Sequence, residues 1–199
     1  MKIVFVRPEL CVGCRQCMVG CAVSHSRAET LWGALNEEAL SMPRIHVGAG
    51  FHGGAFPNRC RHCEPAPCKS ACLPGAIQRH PRTGTVLIEA GRCICCGSCA
   101  MACPFGVIRF QKDPRQDLMK TIGYKCDNCI ERQERGQIPA CVESCKTGAL
   151  VFRDANEVME EKTREVSRTA TLGLHGVQAR QSGPMEILRA LQAAMADLK

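Results

Sequence analysis

Residues 93–104 read Cys-Ile-Cys-Cys-Gly-Ser-Cys-Ala-Met-Ala-Cys-Pro, which spaces four cysteines as C-x2-C-x2-C-x3-C in front of a proline. The same spacing occurs near the start of the chain, over residues 11–21. In such a run, three closely spaced thiolates hold three irons of one [4Fe-4S] cluster, and the fourth cysteine ligates another cluster. Two matches in one chain make this pattern highly specific.

The other cysteines form two further groups that keep the first C-x-x-C pair and the final C-x3-C step but have a longer middle gap. The first group is Cys11, Cys14, Cys17 and Cys21, the second is Cys60, Cys63, Cys68 and Cys72, the third is Cys93, Cys96, Cys99 and Cys103, and the fourth is Cys126, Cys129, Cys141 and Cys145. Together they use 16 of the 17 cysteines. Four clusters with four thiolate ligands each require that number.

Zinc sites and disulfides are the alternative interpretations of the cysteines. Zinc ribbons usually set two C-x-x-C pairs well apart, whereas the first group places four thiolates within eleven residues. Disulfides are disfavoured because the sequence shows no export signal. Iron–sulfur ligation is therefore the favoured interpretation, and a zinc-stabilised interaction module remains a remote alternative.

Exchange of the fourth ligand predicts which cysteines share a cluster. An apolar end at Ile77, a turn over residues 81–84 and a β-branched run over 85–88 predict a hairpin that joins the second and third groups into one two-cluster unit. The first and fourth groups are then left to form another. The expected sets are Cys11, Cys14, Cys17 and Cys145 for cluster 1; Cys126, Cys129, Cys141 and Cys21 for cluster 2; Cys60, Cys63, Cys68 and Cys103 for cluster 3; and Cys93, Cys96, Cys99 and Cys72 for cluster 4.

This pairing predicts an α+β fold with two pseudo-symmetric, two-cluster lobes. A four-cluster domain would span residues 1–152, with lobe A formed by 1–21 and 120–152, lobe B by 57–112, and an insertion at 22–56. We expect the insertion to hold a helix over 28–40 that packs Trp32, a strand over 44–47 and a flexible loop over 48–54. A helical extension would follow at 153–199, with one helix capped by Asn156 and ending near Thr169, a linker to residue 183, and a second helix behind it.

The net charge of +7 lies entirely in residues 1–152, because residues 153–199 carry seven basic and seven acidic side chains. Four clusters with their thiolates would contribute about −2 each, which brings the sum close to zero and removes the charge argument for nucleic acid.

No zinc-protease, nucleophile-elbow, Walker or dinucleotide motif stands in a plausible context. We therefore expect no catalytic site in this chain. No apolar run approaches 18 residues, so we also expect a cytoplasmic protein without direct membrane insertion.

Cys95 is the cysteine left outside the groups. It occupies the second position of its C-x-x-C pair, where the other groups have Gly13, His62 and Asn128, so a turn with positive φ is expected there. We expect a buried or tucked thiol without a role, with a spare ligand or a redox thiol as the alternative. The histidines near the cysteines, His25 and His62, are expected to be packed or solvated, with a hydrogen bond to a cluster as the alternative. The basic residues near the motifs are expected individually to be solvated surface charges, with tuning of cluster potentials by their charge as the alternative; they are Arg15, Arg59, Arg61, Lys69, Arg92 and Lys125.

The motifs at residues 11–26, 60–68, 93–104, 126–129 and 141–150 resemble those of four-cluster, ferredoxin-like electron-transfer subunits of anaerobic redox complexes. Within this family the chain looks most similar to the iron–sulfur subunits that serve CO dehydrogenase, tungsten aldehyde oxidoreductases, formate dehydrogenases, hydrogenases and DMSO-reductase-type enzymes. The resemblance covers residues 3–152 and implies two lobes with the nested ligand sets given above. Cys95, where the family commonly has Gly, departs from the pattern.

Clusters held by four thiolates have no open coordination position, so the sequence predicts an electron relay. The first functional hypothesis is a subunit bound to a catalytic oxidoreductase that holds tungsten or molybdenum pterin or a nickel–iron–sulfur centre. The resemblance also allows a flavin, NAD or hydrogenase subunit as a second partner. The alternative hypothesis is a free polyferredoxin that diffuses between partners.

Overall fold

The computed structural model describes residues 2–50, 54–112 and 120–174, except the side chains of 172–174. The strands are β1 (Lys2–Val6), β2 (Ile45–Ala49), β3 (Ala55–Arg59), β4 (Ile77–Arg79), β5 (Val86–Ile88), β6 (Arg109–Lys112), β7 (Thr121–Tyr124) and β8 (Leu150–Asp154). The helices are α1 (Gln16–Ser24), α2 (Leu31–Leu35), α3 (Pro67–Ser70), α4 (Ser98–Met101), α5 (Ile130–Glu134), α6 (Ala140–Glu143) and α7 (Ala155–Leu174). Two 3-10 turns, Pro8–Leu10 and Ala90–Arg92, directly precede the first and third cysteine groups.

The described strands form four small antiparallel pairs, β1–β8, β2–β3, β4–β5 and β6–β7. In the β1–β8 pair, Lys2 faces Asp154 and Val6 faces Leu150, so the start of the chain is joined to the residues that follow the fourth cysteine group. The β4–β5 pair confirms the predicted hairpin. Mixed short helices and small antiparallel sheets give the α+β fold class that the sequence predicts.

The core of the protein is divided into small clusters in which cysteines take the place of large apolar side chains. Val4, Ile45 and Leu150 pack with Cys17, Cys21 and Cys141 in the largest of these clusters. A second contains Ala76, Ala90, Cys93 and Ile122. Because the apolar residues surround the thiols, the core itself positions the candidate ligands.

The insertion differs from its prediction. Helix α2 covers only residues 31–35 instead of 28–40, since Glu29 has a φ of 50° and Thr30 Oγ1 accepts a hydrogen bond from the Gly33 amide as the helix begins. The packing role expected for Trp32 is wrong, because this side chain is 77% exposed. Gly48 and Ala49, expected in a loop, lie in β2, where pairing with β3 satisfies their backbone.

The C-terminal extension is helical, but its first helix is longer than expected. Helix α7 runs from Ala155 to Leu174, so residues 170–174 are helix instead of linker. The Asn156 amide donates a hydrogen bond of 3.0 Å to Asp154 Oδ1, so Asp154 caps the helix in place of Asn156. The second helix expected in the extension lies outside the described residues. Within the described part of the chain, no helix is long and apolar enough to cross a membrane.

Candidate iron–sulfur sites

Each C-x-x-C pair encloses a left-handed backbone turn. Its second intervening residue has a positive φ in all four groups, at Gly13 (71°), His62 (51°), Cys95 (56°) and Asn128 (59°), which confirms the turn prediction. The turn directs amides at sulfur, because the His62 amide donates to Cys60 Sγ and the Asn128 amide to Cys126 Sγ, both over 3.4 Å. Amide donors at this distance stabilise a negatively charged thiolate.

Short helices carry the third cysteine of every group, and α1 also carries the fourth cysteine of its group. Cys17 and Cys21 lie in α1, and α3, α4 and α6 carry Cys68, Cys99 and Cys141. Residues four apart share one face of a helix, so the C-x3-C step within α1 places Cys17 and Cys21 on the same side, whereas Cys72, Cys103 and Cys145 follow the ends of their helices. Helix α1 packs against α6, and α3 packs against α4. The first group is thereby brought to the fourth, and the second to the third.

Two cavities are lined by thiols from different groups. Cys93, Cys96 and Cys99 of the third group line the first cavity together with Cys72 of the second, and Cys95 also lies in its wall. Cys60, Cys63 and Cys68 of the second group line the other cavity together with Cys103 of the third. In both cavities, three cysteines of one group face the fourth cysteine of the other.

The first and fourth groups act on each other electrostatically. Burial raises the pKa of Cys17 to about 11, and like charge at Cys145, Cys11 and Cys14 adds to this effect. Burial also raises the pKa of Cys21 well above its usual range, and like charge at Cys141, Cys129 and Cys126 again contributes. The pKa of Cys17 therefore depends on its own group and on Cys145. The pKa of Cys21 depends instead on Cys126, Cys129 and Cys141 of the fourth group.

Burial makes it unfavourable for these thiols to lose their protons, and a bound metal ion would make this loss favourable. Burial, followed by the negative charge of Asp127, raises the pKa of Cys129 to about 12. Cys141 is shifted upwards as well, by burial and by Cys126 and Cys129. All 17 cysteines have free thiols. Iron binding supplies the positive charge that displaces their protons, so the thiols are suited to a metal centre.

A buried donor without a partner fits an iron–sulfur cluster in the cavity of the second group. His62 Nδ1 accepts a hydrogen bond of 3.1 Å from the Val86 amide, which leaves the proton of the neutral ring on Nε2. Burial and the charges of Lys125 and Arg59 hold the pKa of His62 at about 3, so the ring is neutral. His62 lines the cavity, and its buried Nε2 has no hydrogen-bond partner among the described residues. A sulfur acceptor in the cavity would satisfy this donor.

Several side chains lie elsewhere than the sequence indicates. Arg59 and Lys125, expected at the surface, are only 3% and 4% exposed. Cys95, expected to be buried or tucked, is exposed. His25, in contrast, is packed as expected, with Nδ1 3.7 Å from the Cys21 sulfur.

Asp127 was not predicted from the sequence as part of a site. Its carboxylate contacts His25, Arg44 and the Cys129 amide. The available signal was its place inside a C-x-x-C pair, where an acidic residue beside two thiolates needs compensating donors.

The thiol-only sites, the amide donors to sulfur and the α+β fold define an iron–sulfur protein of the ferredoxin type. Residues 51–155 match the 4Fe-4S dicluster domain, and the chain belongs to this family of ferredoxin-like electron-transfer proteins. The chain is thus an iron–sulfur electron-transport protein that binds [4Fe-4S] clusters, which leaves the zinc-module alternative without support.

Three relatives illustrate the range of the family. The electron transport protein HydN of Escherichia coli K12 is 36% identical over 182 residues, which cover 86% of this chain and 98% of HydN. The putative oxidoreductase UacF of the same strain is 34% identical over 169 residues, which cover 85% of this chain but only 24% of UacF. The hydrogenase-2 operon protein HybA of E. coli O157:H7 is 29% identical over 182 residues, covering 79% of this chain and 53% of HybA.

Proposed function

We propose that the chain relays electrons through four [4Fe-4S] clusters, each held by three cysteines of one group and the last cysteine of another. The ligand sets are those expected from the sequence, with Cys145, Cys21, Cys103 and Cys72 as the exchanged ligands of clusters 1 to 4. The composition of the two thiol-lined cavities supports the sets of clusters 3 and 4. The like-charge effects on Cys17 and Cys21 support those of clusters 1 and 2.

The clusters would form a line in the order 1, 2, 3, 4. Cys17 and Cys145 of cluster 1 pack in one core with Cys21 and Cys141 of cluster 2. A second core joins Cys126 of cluster 2 to Cys60 and Cys103 of cluster 3. A third joins Cys68 of cluster 3 to Cys72 and Cys99 of cluster 4. Shared cores keep neighbouring clusters close, as stepwise electron transfer requires.

The two ends of this line are accessible, because Cys14 of cluster 1 and Cys96 of cluster 4 are exposed. In contrast, Cys60 and Cys126 of the inner clusters are buried. Electrons would enter at one end and leave at the other. The packing of α1 on α6 and of α3 on α4 supports two pseudo-symmetric lobes, formed by residues 1–21 with 120–152 and by 57–112. Residues 22–56 would be an insertion, and residues 153–199 an extension.

The partner would be a catalytic oxidoreductase subunit that holds a tungsten or molybdenum pterin or a nickel–iron–sulfur centre. In UacF, a chain named as a putative oxidoreductase, the matching region is 24% of the length. HybA is named for a hydrogenase operon. The names of both relatives thus associate similar sequences with oxidoreductases. A free polyferredoxin carrier is the second candidate, favoured by HydN, which matches this chain over 98% of its length and is named as an electron transport protein.

The test is an anaerobic purification of the tagged protein from its native host, with analysis of metals and companion subunits. About 16 Fe per chain is expected for four clusters, and about 8 Fe would contradict the four-cluster relay. Tungsten or molybdenum in a companion chain would identify a pterin enzyme as the partner, and nickel a CO dehydrogenase or hydrogenase. Full iron without any companion chain would favour the free carrier.

A further inference from the structure

Two buried cations occupy equivalent positions in the second and fourth cysteine groups. Arg59 is the last residue of β3 and directly precedes Cys60, and Lys125 follows β7 and directly precedes Cys126. Their exposed fractions are only 3% and 4%. At the corresponding position, the first group has Leu10, and the third has Arg92, which is exposed and contacts Glu89 over 3.2 Å. The buried cations thus accompany the two groups assigned to the inner clusters.

Each cation acts on the cysteines of the other inner group. Arg59 donates from Nη1 to Cys126 Sγ over 3.5 Å and from Nη2 to the Val4 carbonyl over 2.7 Å. Lys125 lines the cavity that Cys60, Cys63, Cys68 and Cys103 share. Burial raises the pKa of Cys60, and the positive charge of Lys125 is the largest influence that opposes this rise. Lys125 has the same opposing effect on Cys68. The two charges therefore lie between the second and fourth groups.

These charges are held by neutral acceptors. The ammonium group of Lys125 donates to the carbonyls of Val86 and Cys126. Over the described residues, no carboxylate oxygen lies within 4.0 Å of either cation. A buried charge without a counter-ion is costly. Arg59 contacts the Cys126 sulfur and Lys125 lines the cavity of Cys60, so thiolates of the proposed inner clusters are groups on which this positive charge can act.

We propose that Arg59 and Lys125 raise the reduction potentials of the two inner clusters and weaken the repulsion between them. This inference rests on the proposed function, because the ligand sets define which clusters are inner. Reduction of a cluster adds one electron, taken from a donor protein, without breaking or forming a bond. A fixed positive charge in a low-dielectric site favours the added negative charge. The inner pair would accept electrons more readily than without the two cations.

The test is a redox titration, followed by electron paramagnetic resonance, of the full iron-loaded chain carrying Lys125→Met. We expect the reduction equilibrium constant of one cluster to fall at least tenfold, which corresponds to about 59 mV for one electron. Lys125→Arg keeps the charge and should restore the wild-type value to within a factor of two. Arg92→Met removes an exposed cation from the matching position of the third group and should change no cluster more than twofold, since water screens it.

Unchanged potentials in a Lys125→Met protein with full iron would overturn the proposal. Where Lys125→Met fails to retain iron, Arg59→Gln decides the question, because Gln keeps a polar side chain while the charge is lost. A drop of at least tenfold is expected there too, and no drop would overturn the proposal. The iron content of the wild-type protein tests the four-cluster relay separately. About 16 Fe with unchanged variant potentials would reject only the role of the two cations.

Discussion

His25 Nε2 lies 3.1 Å from Asp127 Oδ1, although 102 residues separate the two along the chain. His25 also donates from Nδ1 to the Cys21 carbonyl over 2.7 Å, and Arg44 donates from Nη1 to the second oxygen of Asp127 over 2.6 Å. The backbone amide of Arg44 donates to the Cys21 sulfur over 3.2 Å. Asp127 therefore ties the end of the first cysteine group and the insertion to the fourth group.

Asp127→Asn should weaken this connection. Burial alone would raise the pKa of Asp127, but the hydrogen bond from His25 and the charge of Arg44 hold it well below its usual range, so the wild-type residue is ionised. The amide would leave Arg44 without its counter-charge at a partly buried position. We expect the free energy of unfolding to fall by about 2–3 kcal/mol. The measurement is the decrease in the urea concentration at which the iron-loaded protein loses its visible absorption.

The matched control for Asp127 is Arg135→Gln, which removes an ion pair with Glu29 whose side chains are 50% and 41% exposed. Exposed pairs contribute about 0–1 kcal/mol, so the urea midpoint should scarcely move. Equal effects of Asp127→Asn and Arg135→Gln would show that the Asp127 contacts contribute nothing beyond a surface pair.

Cys95 and Cys96 are both exposed neighbours, yet only Cys96 lines up with the ligand spacing. Cys95→Gly should keep the full iron content and raise the unfolding free energy by about 1 kcal/mol, because glycine removes the strain of a φ of 56°. Cys96→Ser should instead damage one cluster. Iron analysis and absorption spectra of the two variants distinguish them, and iron loss in Cys95→Gly would mean that the register of the third group is wrong.

The sequence predicts the local geometry of the cysteine motifs better than their surroundings. The positive φ at Gly13, His62, Cys95 and Asn128 follows from the C-x-x-C spacing and from the residue types at one position. The hairpin over residues 77–88 follows from its turn residues and β-branched strand. These features are short-range, so the chain within a few residues determines them.

Burial of the polar side chains was not predictable in the same way. Arg59 and Lys125 read as ordinary surface charges, because their burial depends on carbonyls of distant residues such as Val4 and Val86. Asp127 likewise gains its partners from His25 and Arg44 only after the first and fourth groups meet. The predicted start of the helix over 28–40 was wrong for a local reason. The left-handed backbone of Glu29 and the Thr30 cap place the first helical residue at Leu31.

The nested ligand sets predict which pairs of cysteine variants act on one cluster. Cys11→Ala with Cys145→Ala should damage cluster 1 alone and leave three intact four-iron clusters. Cys21→Ala with Cys145→Ala should damage clusters 1 and 2 and leave two. Mössbauer spectroscopy of the iron-57-loaded proteins counts intact clusters. Two intact clusters in the first double variant would show that Cys145 serves a cluster other than that of Cys11.

Gly20 of α1 faces Ser144, the residue that follows α6. A Cβ added there would lie 2.1 Å from Ser144 Oγ and 3.1 Å from Ser144 Cβ. The Ser144 hydroxyl is held by a hydrogen bond of 2.8 Å to the Ala140 carbonyl. Gly20→Ala should therefore push α1 away from the turn after α6 and lower the unfolding free energy by about 1–3 kcal/mol, with faster iron loss to a chelator.

Two further variants separate this contact from a general effect of alanine. Ser144→Gly removes both crowding atoms, so Gly20→Ala combined with Ser144→Gly should lose iron more slowly than Gly20→Ala alone. Gly91→Ala is the matched control, because a Cβ at Gly91 meets nothing within 4 Å. Chelator-driven iron release, followed by the decay of visible absorption, is measured for these three variants and for the wild-type protein. If Gly20→Ala releases iron at the rate of Gly91→Ala, the close packing of α1 on α6 does not limit cluster retention.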